Sequence, residues 1–233
     1  MKTLILVKGS GVIKKFVLAI SGLLLFTFIV VHLLGNLLIF SDNPNLINLY
    51  AYKLESMGIF LHIIEVLLLL AVICHAVYAL AITQDNLKAR PQKYYKIQSA
   101  GKPSQQNIFS RTMIFTGPIL LIFMIFHLKT FRFGAGILDG YGVEVNGQIM
   151  RDFHSLIIDI FQQPAYAIAY ILVMIPLGFH LRHGFQSALQ SLGVNYPQLM
   201  PSLNKLSIVL SIILSLGFMA IPLYIYGNNL LIN

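Results

Sequence analysis

The chain has 233 residues, of which 57% are hydrophobic and only 10% charged, whereas water-soluble domains carry about 25% charge. With a mean hydropathy of +0.78 it reads as an integral membrane protein, which excludes soluble enzyme folds and most nucleic-acid readers. Its net charge is +8 and its one cysteine, Cys74, lies in an apolar run, so disulfide frameworks, thiolate metal clusters and c-type haem attachment are excluded as well.

A helix needs about 20 predominantly apolar residues to cross a hydrocarbon core. Five stretches qualify, at residues 13–40, 57–83, 108–130, 156–189 and 203–226. The first stops before Ser41-Asp42-Asn43-Pro44, because Pro44 cannot continue a helix. It is too long for the 7–15-residue core of a cleavable signal and lacks a small-x-small site, so it reads as a retained helix. The second closes at Gln84-Asp85-Asn86, and Pro176 should bend the fourth. No strand-like alternation and no internal repeat competes with these assignments. The expectation is an all-α bundle of five transmembrane helices, one membrane domain spanning residues 1–233.

The basic residues orient this bundle. With the N-terminus cytoplasmic, the inner segments hold Lys2, Lys8, Lys14, Lys15, Lys88, Arg90, Lys93, Lys96, Lys102, Arg111, Arg182 and Lys205, and the outer ones only Lys53, Lys129, Arg132 and Arg151. The acids reverse the bias: Asp85 lies inside, and Asp42, Glu55, Asp139, Glu144, Asp152 and Asp159 lie outside. The C-terminus is therefore expected outside.

Ionisable side chains in a bilayer are costly and mark functional candidates. At about 1.5 Å per residue, His32 lies roughly 12 Å below the outer end of the first span, and His127 also falls in the outer half of its span. His75 and His180 fall in the inner halves of the second and fourth. Two facing imidazoles at one level are what bis-histidine haem iron requires, one nitrogen from each side. Each ring needs a hydrogen-bond partner for its second nitrogen. Ala71 and Ala79 flank His75, and Gly35 follows His32, which leaves room for a flat macrocycle, although small residues also serve plain helix contact. Ser21 and Thr116, each eleven residues before its helix's histidine, should face the interior on the cytoplasmic side. His183 rivals His180 as the inner ligand.

Glu65 is the one acid inside a predicted span, with His62 three residues before it on the same face. A carboxylate there could serve in proton transfer on the outer side; the alternative is an interfacial pair without chemistry. Haem propionates need cations near the membrane faces, for which Arg111, Arg182 and His183 are inner candidates and Lys129, Arg132 and His154 outer ones. A further candidate site on the inner side lies near Ser21 and Arg111. The basic stretch at 86–111 could dock a soluble subunit.

Five stretches stand out together: Val31-His32-Leu33-Leu34-Gly35-Asn36-Leu37, His75-Ala76-Val77-Tyr78, Phe126-His127-Leu128-Lys129, Tyr141-Gly142-Val143-Glu144-Val145-Asn146-Gly147 and Gly178-Phe179-His180-Leu181-Arg182-His183-Gly184-Phe185-Gln186-Ser187. In these the chain resembles the single-chain, dihaem cytochrome b anchor of succinate dehydrogenase and fumarate reductase, in the branch found in Bacteroidetes-type bacteria. The resemblance implies two haem b groups, the outer held by His32 and His127 and the inner by His75 and His180. It also implies a quinone, taken as menaquinone, whose proton exchange would fall to Glu65 and His62 on the outer side, with an inner quinone site near Ser21 and Arg111 as the other option. Further implications are a flavoprotein and an iron–sulfur subunit as partners, a bacterial cytoplasmic membrane, membrane lipid around it, and a higher oligomer of the complex. Some members place a glutamate two residues before the fourth-helix ligand, on a proton route; here that position is Gly178. The rival readings are a dihaem cytochrome b serving another quinone-linked dehydrogenase and a non-haem transporter whose histidines relay protons or pack.

Overall fold

In the computed structural model, residues 9–89 and 108–232 are described. The basic stretch expected to dock a partner falls largely on 90–107 and lies outside them, as do Lys2 and Lys8.

Helix α1 (Gly11–Asn36) starts where Ser10, in extended conformation, accepts a hydrogen bond from the Ile13 amide, and it tightens into a 3-10 turn over Leu37–Phe40. Serine at an N-cap satisfies an otherwise orphaned donor of the first turn. Pro44 then precedes α2 (Asn45–Glu55), and Gly58, at φ 55°, turns the chain into α3 (Ile59–Lys88). Helix α4 (Ile108–His127) widens into a π-helical turn over Leu128–Arg132. A short hairpin follows, β1 (Gly142–Val145) against β2 (Gln148–Arg151), then α5 (Phe153–Gln162), α6 (Pro164–Ser191) and α7 (Met200–Ile232).

Five of these helical segments are long and apolar enough to cross a membrane: 11–40, 59–88, 111–132, 164–191 and 200–231. Their outward faces carry bare aliphatic and aromatic side chains; Leu34, Phe115, Phe126, Leu172 and Leu216 are between 55% and 69% exposed. Burying one such side chain is worth roughly 1.5–3 kcal/mol, so a belt of them is a surface for hydrocarbon, not for water.

Helix α6 is the hub. It packs on α7, α4, α1 and α5, while α3 packs mainly on α1. Close approach of these helices depends on small residues: between α6 and α7 a Cβ at Gly178 would stand 3.0 Å from Ser215 Oγ, and between α7 and α1 one at Gly217 would stand 2.7 Å from the Leu33 side chain. Two apolar clusters result. Phe26, Leu33, Leu181 and Leu214 fill the middle, and Ile39, Ile47, Ile157, Phe161, Tyr170, Ile221 and Ile225 fill the end nearer the hairpin. At the opposite end the buried Lys14 reaches Asp85 at 2.7 Å, tying α1 to α3.

The structure corrects several expectations. The stretch at 156–189 is not one helix: Gln163 is extended (φ −79°, ψ 120°) and Pro164 opens a new helix, because a residue before proline avoids the α region while proline itself suits a first helical position. A strand pair does exist, turning on Asn146 and Gly147, both at positive φ (54° and 77°), the backbone that a two-residue hairpin turn demands. The loop after the first span holds α2. Helix ends also move: the second span runs on to Lys88, past the predicted stop at Gln84-Asp85-Asn86.

Helix α2, the hairpin and α5 form a cap at one end of the bundle. Asn48, 2% exposed, donates to Asp152 Oδ1 at 3.0 Å and accepts from the His154 amide at 2.9 Å. Asp152 caps α5 through both the amide and the hydroxyl of Ser155. Burial pushes its carboxyl up, but the Ser155 and Asn48 donors, with His154 nearby, outweigh burial and hold it below the usual carboxylate range.

Candidate functional site

Two pairs of histidines meet inside the bundle, one at each level. Near the hairpin end, His32 of α1 and His127 of α4 face each other with ring centroids 5.7 Å apart at 87°. Toward the other end, His75 of α3 and His180 of α6 stand 6.1 Å apart at 60°. Neither α1 with α4 nor α3 with α6 is a principal packing pair, so the rings bridge helices whose backbones stay apart. All four rings keep some accessible surface.

Aromatic rings enclose the hairpin-end pair. Phe28 stacks on His32 at 5.3 Å, Phe218 lies at 5.7 Å from it, and Phe123, Phe131 and Tyr170 surround His127 at 5.7, 5.4 and 6.0 Å. The π-helical turn begins directly after His127 and carries Phe131. The Tyr170 hydroxyl lies 3.3 Å from His127 Nδ1, while the Asn36 amide donates to the His32 carbonyl at 2.7 Å and lies 3.3 and 3.4 Å from the two nitrogens of the His32 ring.

Hydroxyls attend the other pair. Thr116 Oγ1 is 3.1 Å from His180 Nδ1, and Ser21 Oγ is 3.5 Å from His75 Nδ1. Both hydroxyl residues are buried, at 5% and 6% exposure, which places them in the interior. Gly22 makes room for the ring of His75, since a Cβ there would meet Cε1 at 3.1 Å. The hydroxyl contacts of His75, His127 and His180 each run through Nδ1. That pattern leaves Nε2 of each ring free to donate a lone pair, the arrangement metal-binding histidines use.

The remaining sequence candidates fall as follows. His62 Nδ1 meets Glu65 Oε2 at 3.3 Å, but Glu65 also accepts from Arg132, whose Nε and Nη2 reach Oε1 and Oε2 at 2.6 and 3.2 Å. Arg132, expected to be free for a propionate, is thus engaged by α3. A shallow, open apolar groove of about 240 Å³ runs beside this cluster along one face of α3, lined by Ile59, His62, Ile63, Val66 and Leu67. His183 is half-buried one turn beyond His180, but it is His180 whose ring meets His75. Arg111 and Lys129 are exposed; Arg182 and His154 are half-buried.

Asn36 and Tyr170 were not among the sequence candidates. Asn36 could have been found, because it lies one turn after His32 on the same face; Tyr170 could not, because its contact depends on the rotation of α6 against α4. No known protein family, curated protein or solved structure matches the chain.

Proposed function

We propose that the chain is the dihaem cytochrome b anchor of a succinate:quinone oxidoreductase in a bacterial cytoplasmic membrane, carrying electrons between an iron–sulfur subunit and a membrane quinone. The observation that carries this reading is the meeting of four histidines from four helices as two pairs at two levels. Two imidazoles offer only two ligands, which suits a metal that brings four of its own in a planar macrocycle. His32 with His127, and His75 with His180, at ring separations of 5.7 and 6.1 Å, would be the residues to hold such a metal. The half-buried rings and the missing side chain at Gly22 suit a flat group between the helices.

When bound, the two haems b supply one-electron chemistry at iron. The protein's own contributions are separate. His32 and His127, and His75 and His180, present nitrogens inside an apolar bundle that excludes water. The Glu65 carboxylate, held by Arg132 and His62, lies beside the groove formed by Ile59, Ile63, Val66 and Leu67. That groove is apolar enough for a quinone ring or tail, menaquinone being the expected species, and the cluster offers a proton acceptor at Glu65 Oε2. The positive-inside bias puts the N-terminal end, with its Lys14–Asp85 pair, on the cytoplasmic side, where the flavoprotein and iron–sulfur partners would dock.

The test is a reduced-minus-oxidised spectrum of the purified protein with its haem content and its co-purifying subunits. Two b haems per chain and a flavoprotein that reduces fumarate are the expected result. A colourless protein would instead favour a transporter, and b haems accompanied by another dehydrogenase would favour the dihaem rival. Alanine at His32 or His127 should remove one haem, and alanine at His75 or His180 the other; retention of both haems would exclude the substituted residue as a ligand.

A further inference from the structure

We infer that α4 and α6 orient each other's metal-binding imidazole, Thr116 of α4 holding His180 of α6 and Tyr170 of α6 holding His127 of α4. The inference rests on the haem reading above and adds to it two positioning residues that do not touch the metal.

The geometry is reciprocal. Thr116 lies 3.1 Å from His180 Nδ1, and Tyr170 lies 3.3 Å from His127 Nδ1. On α4 the orienting residue precedes the ligand by eleven residues, and on α6 by ten; each interval is about three turns. Each helix therefore presents a ligand at one level and an orienting hydroxyl at the other. Helix α1 repeats the device, with Ser21 eleven residues before His32 and directed at His75 of α3.

The hydroxyls' own hydrogens give direction to two of these bonds. Ser21 donates to the Val17 carbonyl at 2.8 Å, and Thr116 donates to the Met113 carbonyl at 3.4 Å. Ser21, with its hydrogen on the Val17 carbonyl, is left to accept from the imidazole, and the inference gives Thr116 the same role, its oxygen accepting from His180 at 3.1 Å. In this arrangement the proton sits on Nδ1 of His75 and of His180, and Nε2 presents its lone pair. Such a bond fixes tautomer and ring orientation and raises the basicity of the ligand. Tyr170 plays the same part at His127 when its hydroxyl accepts from Nδ1, and the packing of its ring against Phe123 and Phe161, at 4.9 and 5.0 Å, locks the hydroxyl in place.

The test compares Thr116→Val, which keeps the shape and removes the hydroxyl, with Thr116→Ser, which keeps the hydroxyl. The full chain is purified with its native partners, and each haem is followed by potentiometric titration and low-temperature electron paramagnetic resonance. In Thr116→Val one of the two midpoints should rise, because a less basic ligand stabilises the oxidised iron less, and one of the two low-spin signals should move. Thr116→Ser should match the parent, and Tyr170→Phe should move the other signal. Loss of one haem alone from Thr116→Val supports the inference equally. Unchanged midpoints in Thr116→Val, the same shift in Thr116→Ser, or equal effects on both haems would overturn it. An absence of b haem from the parent chain is a separate outcome, which removes the functional reading itself.

Discussion

Arg132 closes on Glu65 from the neighbouring π-helical turn and engages both carboxylate oxygens, Nε to Oε1 at 2.6 Å and Nη2 to Oε2 at 3.2 Å. Both side chains remain more than a third exposed, at 39% and 35%, so the pair adds less than about 1 kcal/mol to stability. Its value lies in fixing a carboxylate beside the groove on α3. Glu65→Gln should leave the thermal midpoint and both haem spectra close to those of the parent. Quinone turnover should fall about a hundredfold, the usual scale for losing a proton-transfer group. Undiminished turnover removes Glu65 from the proposed mechanism.

Gly22 sits where α1 passes His75. A Cβ there would lie 3.1 Å from Cε1 and 3.3 Å from Nδ1 of the ring, and valine adds two methyl groups to that crowding. Gly22→Val should displace His75 and weaken the haem it shares with His180, while the His32–His127 signal persists. Haem quantification together with resonance spectra reads the difference, and a variant with both signals intact refutes the close fit.

Asp152 links the cap to pH. Its carboxyl titrates below the ordinary range because the donors from Ser155 and Asn48 outweigh the effect of burial. Since the folded value lies under the unfolded one of about 3.9, these bonds stabilise the cap above that pH, and the stabilisation is lost as pH falls through the folded value. Hydrogen exchange of the α2 and α5 amides should accelerate below about pH 4. In Asp152→Asn the same amides should exchange faster at neutral pH and lose this acid step; an acid step identical to the parent's would assign it to another group.

Lys14 and Asp85 differ in burial: the lysine side chain is 7% exposed and the aspartate 50%. Removing the partner of a buried charge costs more than removing the buried charge itself. Asp85→Asn should therefore destabilise the α1–α3 contact by about 1–3 kcal/mol, and Lys14→Met by less, as measured by thermal unfolding in detergent. The reverse order would show that the ammonium finds another acceptor.

The spans were legible because apolar length is a one-dimensional property, and hydrocarbon thickness sets its scale. The levels of His32, His75, His127 and His180 were legible for the same reason, since distance along a helix converts directly to depth. Features that depend on local backbone chemistry were read less well. Asn146-Gly147 is a strong hairpin signal, but four-residue strands are too short for alternation to stand out. Pro164 marks a helix start, yet apolar residues on both sides disguised the break as one long span. Helix α2 is half polar and short, so a hydropathy scan passes over it. The partner of Glu65 was hidden because Arg132 follows the end of the predicted span, and only the π-helical turn aims it back toward α3. Tyr170, like Arg132, lies on a different helix from the group it touches, and rotation between helices leaves no trace in sequence spacing.

The close seating of Gly178 against Ser215 has a consequence for energetics. With α6 and α7 this near, a side chain at that point would have to push Ser215 aside, and Gly178 itself offers no carboxylate. Under the proposed function, electrons would then cross the bundle without a proton moving alongside through that position. Each uncompensated charge works against or with the membrane voltage, at about 2.3 kcal/mol per 100 mV. In energised cells the resting potential itself would act as a rectifier, favouring one direction of turnover and throttling the other.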